Sequence, residues 1–298
     1  MLKATFYCIL LNTLLFATSC VEPYPDKDLI MKDVKYLASD ELEGRDTGTE
    51  GGKKAGAYII DRYKEIGLSP INNSYESPFS FKSYISNEVF NGVNIVGQIK
   101  GKTDKVIVVT AHYDHIGIKD GKIYNGADDN ASGISGLLAI ARYFKAKRPR
   151  HTLIFVAFDA EEKGLRGAKH FVNNLPVQKD MIKLNVNMDM ISRSDQNEMY
   201  AVGTYHYPHL KNALDEVAET ALIKLSLGHD RPELGSNDWT YSSDHAPFHQ
   251  KGIPFIYFGV EDHEDYHEHT DVAEKINPEF LTNTIITILE TIKKLDQQ

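Results

Sequence analysis

The chain has 298 residues, of which 42% are hydrophobic and 25% charged, a composition typical of a water-soluble globular protein and unlike that of a disordered or collagen-like chain. Lys and Arg number 33 against 42 Asp and Glu, which gives a net charge of -9, so the chain has no surplus of positive charge for phosphates and nucleic acid is not an expected partner. Both cysteines, Cys8 and Cys20, lie at the N-terminal end. A metal bound elsewhere in the chain would therefore need nitrogen and oxygen ligands.

Residues 1–19 have the pattern of an export signal. A single charge, Lys3, precedes an apolar run that is too short to cross a bilayer of about 30 Å. The run ends in Ala17-Thr18-Ser19-Cys20, which resembles the cleavage box of bacterial lipoproteins, and an ordinary signal peptide is the alternative. The pattern predicts a lipid anchor on Cys20, a short tether at 20–28, and a location in the bacterial cell envelope, in the periplasm or at the outer membrane.

The remaining residues, 29–298, alternate between helical and strand patterns. Residues 29–68 predict two helices separated by a glycine-rich break at 44–48. Near-continuous apolar runs predict buried strands at 93–99, 106–110, 153–158, 184–188 and 254–260, and helices are predicted at 134–144, 168–175, 210–225 and 280–295. The alternation predicts one α/β catalytic domain, a three-layer sandwich with a mixed, mainly parallel central sheet flanked by helices.

Histidine and acidic residues follow the predicted strands directly. His112 and Asp114 come after the strand at 106–110, Glu161 and Glu162 after that at 153–158, and Asp189 after that at 184–188. In such folds ligands bind beyond the carboxyl ends of the strands, so these acids are expected to lie close together. Because like charges repel, a bound divalent cation would compensate for their proximity, and imidazole with carboxylate suits zinc, manganese or cobalt.

These residues fall within motifs that resemble those of a known family. The segments that carry the resemblance are His112-Tyr113-Asp114, Gly126 to Gly133 (GADDNASG), Ala160 to Gly167 (AEEKGLRG), Asn187-Met188-Asp189 and His269-Thr270-Asp271. In order and spacing they are similar to the motifs of the di-zinc aminopeptidases that share a fold with glutaminyl cyclase. The resemblance covers residues 30 to 298.

The resemblance implies a ligand set and a mechanism. His112 and Asp189 would hold one zinc, Glu162 and His269 the other, and Asp129 would bridge the two. Glu161 would be the general base for a metal-activated water, and Asp114 would orient the imidazole of His112. The expected activity is removal of the N-terminal residue from peptides with a free N-terminus, whose positive charge an acidic site attracts.

One feature departs from the family pattern. Relatives often supply a tyrosine that stabilises the oxyanion, either just before the last histidine or near a Ser-Asp-His sequence, which here is 243–245. Glu268 stands in the first of these places. Tyr241 and Tyr266 are nearby but out of register, so the sequence assigns no oxyanion donor.

Three other functions stay open. A single-zinc glutaminyl cyclase would use much of the same ligand set. The literal H-E-x-x-H sequence from His263 to His267 would indicate a zincin if it lay on an amphipathic helix, but residues 261–271 offer only Tyr266 as a large apolar side chain. A non-catalytic peptide-binding module is the third alternative, and it predicts a missing ligand or base.

Overall fold

The computed structural model describes residues 24–83 and 87–298. The predicted export signal and Cys20, the predicted site of a lipid anchor, lie outside the described residues. Within those ranges, no helix combines the length and the apolar character that crossing a membrane requires. The first helix begins at Lys27, inside the predicted tether, and the carboxylate of Asp26 caps it by accepting from the backbone N–H groups of Asp28 and Leu29.

The strands form one large mixed sheet and one small hairpin. In chain order the strands are β1 (Ser69–Pro70), β2 (Glu76–Lys82), β3 (Val89–Ile99), β4 (Val106–His112), β5 (Gly117–Lys119), β6 (Lys122–Tyr124), β7 (Thr152–Phe158), β8 (Ile182–Met188), β9 (Glu198–Val202), β10 (Lys224–Leu227) and β11 (Phe255–Gly259). The large sheet has the order β1-β3-β7-β4-β8-β11-β9-β10, with β2 also paired to β3, and β5 and β6 form the hairpin. Its centre, β7-β4-β8-β11, is parallel, whereas β3 and β9 run antiparallel to their neighbours in this centre.

Helices cover both faces of the sheet. They are α1 (Lys27–Leu37), α2 (Glu50–Ile66), α3 (Gly133–Ala146), α4 (Arg166–Asn173), α5 (Lys211–Ala218), α6 (Ala246–Gln250) and α7 (Pro278–Gln297). One core joins the sheet to α1, α2, α3, α5 and α7, and a second core joins it to α4 and α6. The central strands read as continuous apolar runs because alternate residues, such as Val108 and Val109 in β4, face opposite cores. The predicted three-layer α/β sandwich with a mixed, mainly parallel sheet is confirmed.

The elements that the sequence pattern missed or misplaced lie outside the parallel centre of the sheet. The predicted helix at 210–225 ends at Ala218, and the chain then enters β10, which pairs with β9. Strands β2, β9 and β10 were not predicted. Several of their residues are exposed or half-buried, so their sequences lack the continuous apolar run of the central strands.

Candidate metal centre

The candidate residues lie at the carboxyl ends of the parallel strands, which meet at one edge of the sheet. His112 is the last residue of β4, and Asp189 directly follows β8. Glu161 and Glu162 lie in the turn after β7, and Asp129 lies in the segment that leads into α3. The fold therefore brings four of the predicted metal ligands, His112, Asp129, Glu162 and Asp189, to one place, with Glu161 beside them.

His112, Asp129 and Asp189 form a first group of donors, whose ligand atoms all lie within 4.8 Å of one another. Nε2 of His112 is 3.1 Å from Oδ1 of Asp189 and 3.3 Å from Oδ1 of Asp129. All three side chains are buried. One imidazole and two carboxylates, removed from water and this close together, are a set of ligands that zinc accepts.

The second oxygen of Asp129 belongs to another group. Oδ2 of Asp129 lies 3.3 Å from Nε2 of His267, which is also 3.3 Å from Oε2 of Glu162. His115 approaches the same acids, and its Nδ1 is 2.7 Å from Oε1 of Glu162. Asp129 thus turns one oxygen to each group, which is the arrangement that a carboxylate bridging two cations must have.

His269 does not join either group, and its predicted place as a ligand needs correction. Its ring stands edge-on to Tyr124, with the ring centroids 6.2 Å apart, whereas His267 contacts both Asp129 and Glu162. The segment after β11 is built of turns, and His267 adopts a left-handed conformation with φ of 55°, so two histidines only two residues apart lie in different surroundings. The signal that could have identified His267 is the tyrosine immediately before it, Tyr266, which is the pattern expected at the last ligand.

Asp114 supports the centre mainly through the backbone. Nδ1 of His112 is 3.1 Å from the main-chain carbonyl oxygen of Asp114 but 3.7 Å from its carboxylate, so the main-chain carbonyl is the better placed acceptor for the imidazole. The carboxylate of Asp114 instead accepts from the backbone N–H groups of Glu161, at 3.0 Å, and Glu162, at 3.3 Å. Asp114 therefore links the imidazole at the end of β4 to the two glutamates after β7.

Other polar side chains fix the carboxylates. The hydroxyl of Ser243 donates to Oδ2 of Asp189 at 2.7 Å, which leaves Oδ1 directed at His112. The carboxylate of Asp271 accepts from the backbone N–H groups of Asp128 and Asp129 and so holds the segment that carries the shared carboxylate. Neither Ser243 nor Asp271 was assigned a role from the sequence.

The pKa of Glu161 lies well above its usual range. Burial is the largest cause, and although His112 opposes the rise, the neighbouring acids Asp244 and Asp189 add to it. Glu161 also lines the cleft over the two donor groups. A carboxyl group whose pKa is raised toward the working pH range and that faces an open cleft is suited to accept and return protons.

The pKa of the adjacent Glu162 is instead lowered. Burial and the charge of Asp129 would raise its pKa, but hydrogen bonds from His115 and His267 outweigh both and bring it to about 2. Neighbouring glutamates whose pKa values are pushed apart take different roles, so Glu162 is suited to ligation and Glu161 to proton transfer.

A buried arginine that the sequence analysis did not single out lies under the site. The guanidinium of Arg45 donates to four backbone carbonyl oxygens, those of Leu37, Tyr113, Asn125 and Gly126. Burial lowers the pKa of Arg45 to about 10, although Asp129, Asp271 and other nearby acids oppose the shift. Arg45 therefore joins the two loops that carry the ligands. The sequence signal for this role is the position of an arginine inside the glycine-rich break at 44–48.

The structure does not support the H-E-x-x-H alternative. Residues 260–271 contain turns and no α-helix, so His263 and His267 do not share a helical face. Nε2 of His263 is instead 3.0 Å from Oδ2 of Asp128, whose other oxygen accepts from the hydroxyl and backbone N–H of Ser192.

A cleft of about 360 Å³ opens over the two groups of donors. Glu161 and Tyr266 line it together with the apolar side chains of Met190, Trp239 and Val260. The residues present fit a pair of zinc ions, because the buried donors are nitrogen and oxygen only, and the two oxygens of Asp129 divide between the groups.

Comparison with known proteins identifies a peptidase family and several relatives. The model of peptidase family M28 matches residues 94–292. Aminopeptidase YwaD of Bacillus subtilis is 33% identical over 260 residues, which cover 82% of this chain and 53% of that protein. A probable zinc metalloprotease of Pyrenophora tritici-repentis is 29% identical over 219 residues, with 61% of this chain and 49% of that protein covered. The chain thus spans about half the length of these curated relatives.

Solved structures share the fold. A zinc aminopeptidase from Bacillus subtilis superposes with a TM-score of 0.72 at 19% identity, covering 91% of this chain and 95% of that one. Porphyromonas gingivalis glutaminyl cyclase gives a TM-score of 0.75 at 18% identity, covering 91% and 98%. The chain has the zinc-exopeptidase fold that both proteins share, and by the match over residues 94–292 it belongs to peptidase family M28.

Proposed function

We propose that this protein is a zinc aminopeptidase that hydrolyses the N-terminal peptide bond of peptides and holds two zinc ions. His112, Asp129 and Asp189 would hold the first ion, and Asp129, Glu162 and His267 the second. The observation that carries the proposal is the division of the Asp129 oxygens, with Oδ1 at 3.3 Å from His112 and Oδ2 at 3.3 Å from His267.

Glu161 is the general base in this proposal. When bound, the zinc ions polarise the scissile carbonyl group and make water a stronger nucleophile. Glu161 accepts a proton from the attacking water and returns it to the leaving amine, a role supported by its raised pKa and its place on the cleft. The backbone hydrogen bonds to Asp114 hold Glu161 and Glu162 in position.

Tyr266 is the proposed oxyanion donor. With His267 as the last ligand, Tyr266 stands immediately before it, which is where relatives place this tyrosine. Tyr266 lines the cleft, and its ring stacks on that of His267 with the centroids 4.0 Å apart. Burial and the acids Asp129 and Asp189 raise its pKa, so the phenol keeps its proton and can donate to an oxygen that gains negative charge.

The acidic site also supports a substrate class. The α-amino group of a peptide is positively charged and is attracted by Asp129, Glu162 and Asp189, whereas a blocked N-terminus has no such charge. We therefore expect free peptide N-termini to be required.

Zinc content and product analysis on one preparation test the proposal. We expect two zinc ions per chain, release of amino acids from fluorogenic aminoacyl substrates, and no reaction with N-acetylated substrates. One zinc ion per chain with conversion of N-terminal glutamine to pyroglutamate would overturn the proposal in favour of a glutaminyl cyclase. Glu161→Gln is the control for a non-catalytic module, because it should keep zinc and lose turnover.

The lipid anchor and the cell-envelope location are a separate proposal that depends on Cys20. Labelling of the full chain in bacteria with a radioactive fatty acid should mark the wild-type protein and not Cys20→Ser. Equal labelling of both would exclude the anchor, and export without labelling would indicate an ordinary signal peptide.

A further inference from the structure

His115 is a buried histidine in the second donor group that neither the sequence nor the family resemblance assigned. It follows His112 by three residues, and its side chain is fully buried. Its Nδ1 lies 2.7 Å from Oε1 of Glu162 and 3.7 Å from Oδ2 of Asp129. Its Nε2 is buried and has no hydrogen-bond partner among the described residues.

The surroundings hold this ring against the two acids. The backbone N–H of His115 donates to the main-chain oxygen of Arg45 at 3.4 Å. Gly126 packs directly on the ring, since a Cβ atom at that position would meet two ring carbons at 2.5 and 2.6 Å. Any side chain at Gly126 would therefore displace His115, and the absence of one lets the imidazole approach Glu162 and Asp129.

The distances match those between ligands of one metal ion. Nitrogen and oxygen donors lie about 2.0–2.2 Å from zinc, so neighbouring donors of one ion are roughly 3–3.5 Å apart. His267 is 3.3 Å from both Asp129 and Glu162, and His115 is on average at a similar distance from the same two acids. The rings of His115 and His267 have their centroids 6.0 Å apart, so each imidazole approaches the acids separately.

A role limited to a hydrogen bond explains less of this geometry. A neutral imidazole that only oriented Glu162 would donate from Nδ1 at 2.7 Å. That role does not require Nδ1 to lie 3.7 Å from Oδ2 of Asp129 as well. The donors of His115, Asp129 and Glu162 all lie within 4.8 Å of one another, which a single cation at their centre would use.

We propose that His115 is an additional protein ligand, through Nδ1, of the second zinc ion. This inference rests on the proposed function for the presence of zinc. The two positions are then unequal, because the first has His112, Asp129 and Asp189, whereas the second has Asp129, Glu162, His267 and His115. The second ion should consequently be the more tightly held.

The test compares His115→Ala and His115→Asn with wild type in the purified, zinc-loaded protein. Asn places an amide near the position of Nδ1, so it can still donate to Glu162, but it removes the imidazole. His269→Ala is the matched control, because it removes a histidine of the same region that lies outside both groups. Zinc K-edge absorption counts imidazoles, and competition with a chelator gives the affinity of each ion.

We expect three zinc-bound imidazoles per chain in wild type and in His269→Ala, and two in both His115 variants. The affinity for the second zinc should fall at least about 100-fold in both variants. Loss of a residue that only supports a ligand lowers metal affinity by about 10- to 100-fold, so a larger loss indicates a direct ligand. Retention of wild-type affinity and imidazole count by His115→Asn would overturn the proposal and leave His115 as a positioning residue for Glu162. If His115→Ala does not fold, the number of zinc-bound imidazoles in His115→Asn, compared with that in wild type, still tests the proposal.

Failure of this inference is distinguishable from failure of the proposed function. Fewer than two zinc ions in wild type, or no release of amino acids, would contradict the proposed two-zinc aminopeptidase. The loss of one imidazole per chain between wild type and His115→Asn would still assign His115 to the ion that is bound.

Discussion

Replacement of His267 by alanine should remove the second zinc ion, whereas replacement of His269 should not. Nε2 of His267 lies 3.3 Å from an oxygen of Asp129 and 3.3 Å from an oxygen of Glu162, so His267→Ala takes a nitrogen donor from between two carboxylates. We expect the affinity for the second zinc to fall at least about 100-fold, which corresponds to about 2.7 kcal/mol of binding free energy.

The assay is zinc analysis after dialysis against a chelator that buffers free zinc just above the dissociation constants of both wild-type sites, a level too low to fill a second site weakened about 100-fold. Wild type and His269→Ala should retain two ions under these conditions and His267→Ala one, with a matching loss of turnover on a fluorogenic aminoacyl substrate. His263→Ala serves as a second control, because His263 contacts Asp128 rather than a ligand. Loss of zinc from His269→Ala with retention by His267→Ala would refute the reasoning and restore the assignment made from the sequence.

Three further predictions concern the residues around the ligands. Glu161→Gln should lower kcat by about 10²- to 10⁴-fold and leave the zinc content unchanged; an unchanged kcat would remove Glu161 from proton transfer. Arg45→Met should lower the free energy of unfolding by about 3–5 kcal/mol in urea denaturation, because it leaves buried carbonyl groups without their donor; a loss below about 1 kcal/mol would contradict that role. Burial lowers the pKa of His245 to about 3, so the unfolded chain binds a proton between about pH 6.5 and pH 3 that the folded protein does not, and stability falls by up to about 5 kcal/mol as the pH is lowered through that window. His245→Phe should lose this part of the pH slope, and identical slopes would disprove it.

The central sheet could be predicted from the sequence because its strands are buried on both faces. β4, β7 and β11 are apolar at nearly every position, and β8 is buried along almost its whole length although it carries Lys183, Asn185 and Asn187, so the predicted runs match these strands closely. β9 and the edge strand β10 could not be predicted in the same way, because they have exposed or half-buried positions and depend on pairing with a distant segment.

The site was predictable wherever a ligand directly follows a buried strand. The end of the strand fixes the direction of the next side chain, which is why His112 and Asp189 lie where the sequence placed them. The histidines beyond β11 have no such reference, since the chain there makes successive turns and His267 is left-handed. A choice between His267 and His269 therefore needs the path of the loop.

The sequence by itself determined the layered α/β fold and the nitrogen and oxygen chemistry of the ligands. His112 and the acids Asp129, Glu162 and Asp189 meet at one edge of the sheet because the parallel strands of its centre end there together. The tertiary structure decided which histidine completes the second group, that His115 joins it, and that Arg45 ties the ligand loops together. These contacts join residues far apart in the chain through loops, whose conformation depends on packing and buried hydrogen bonds rather than on any periodic pattern of side chains.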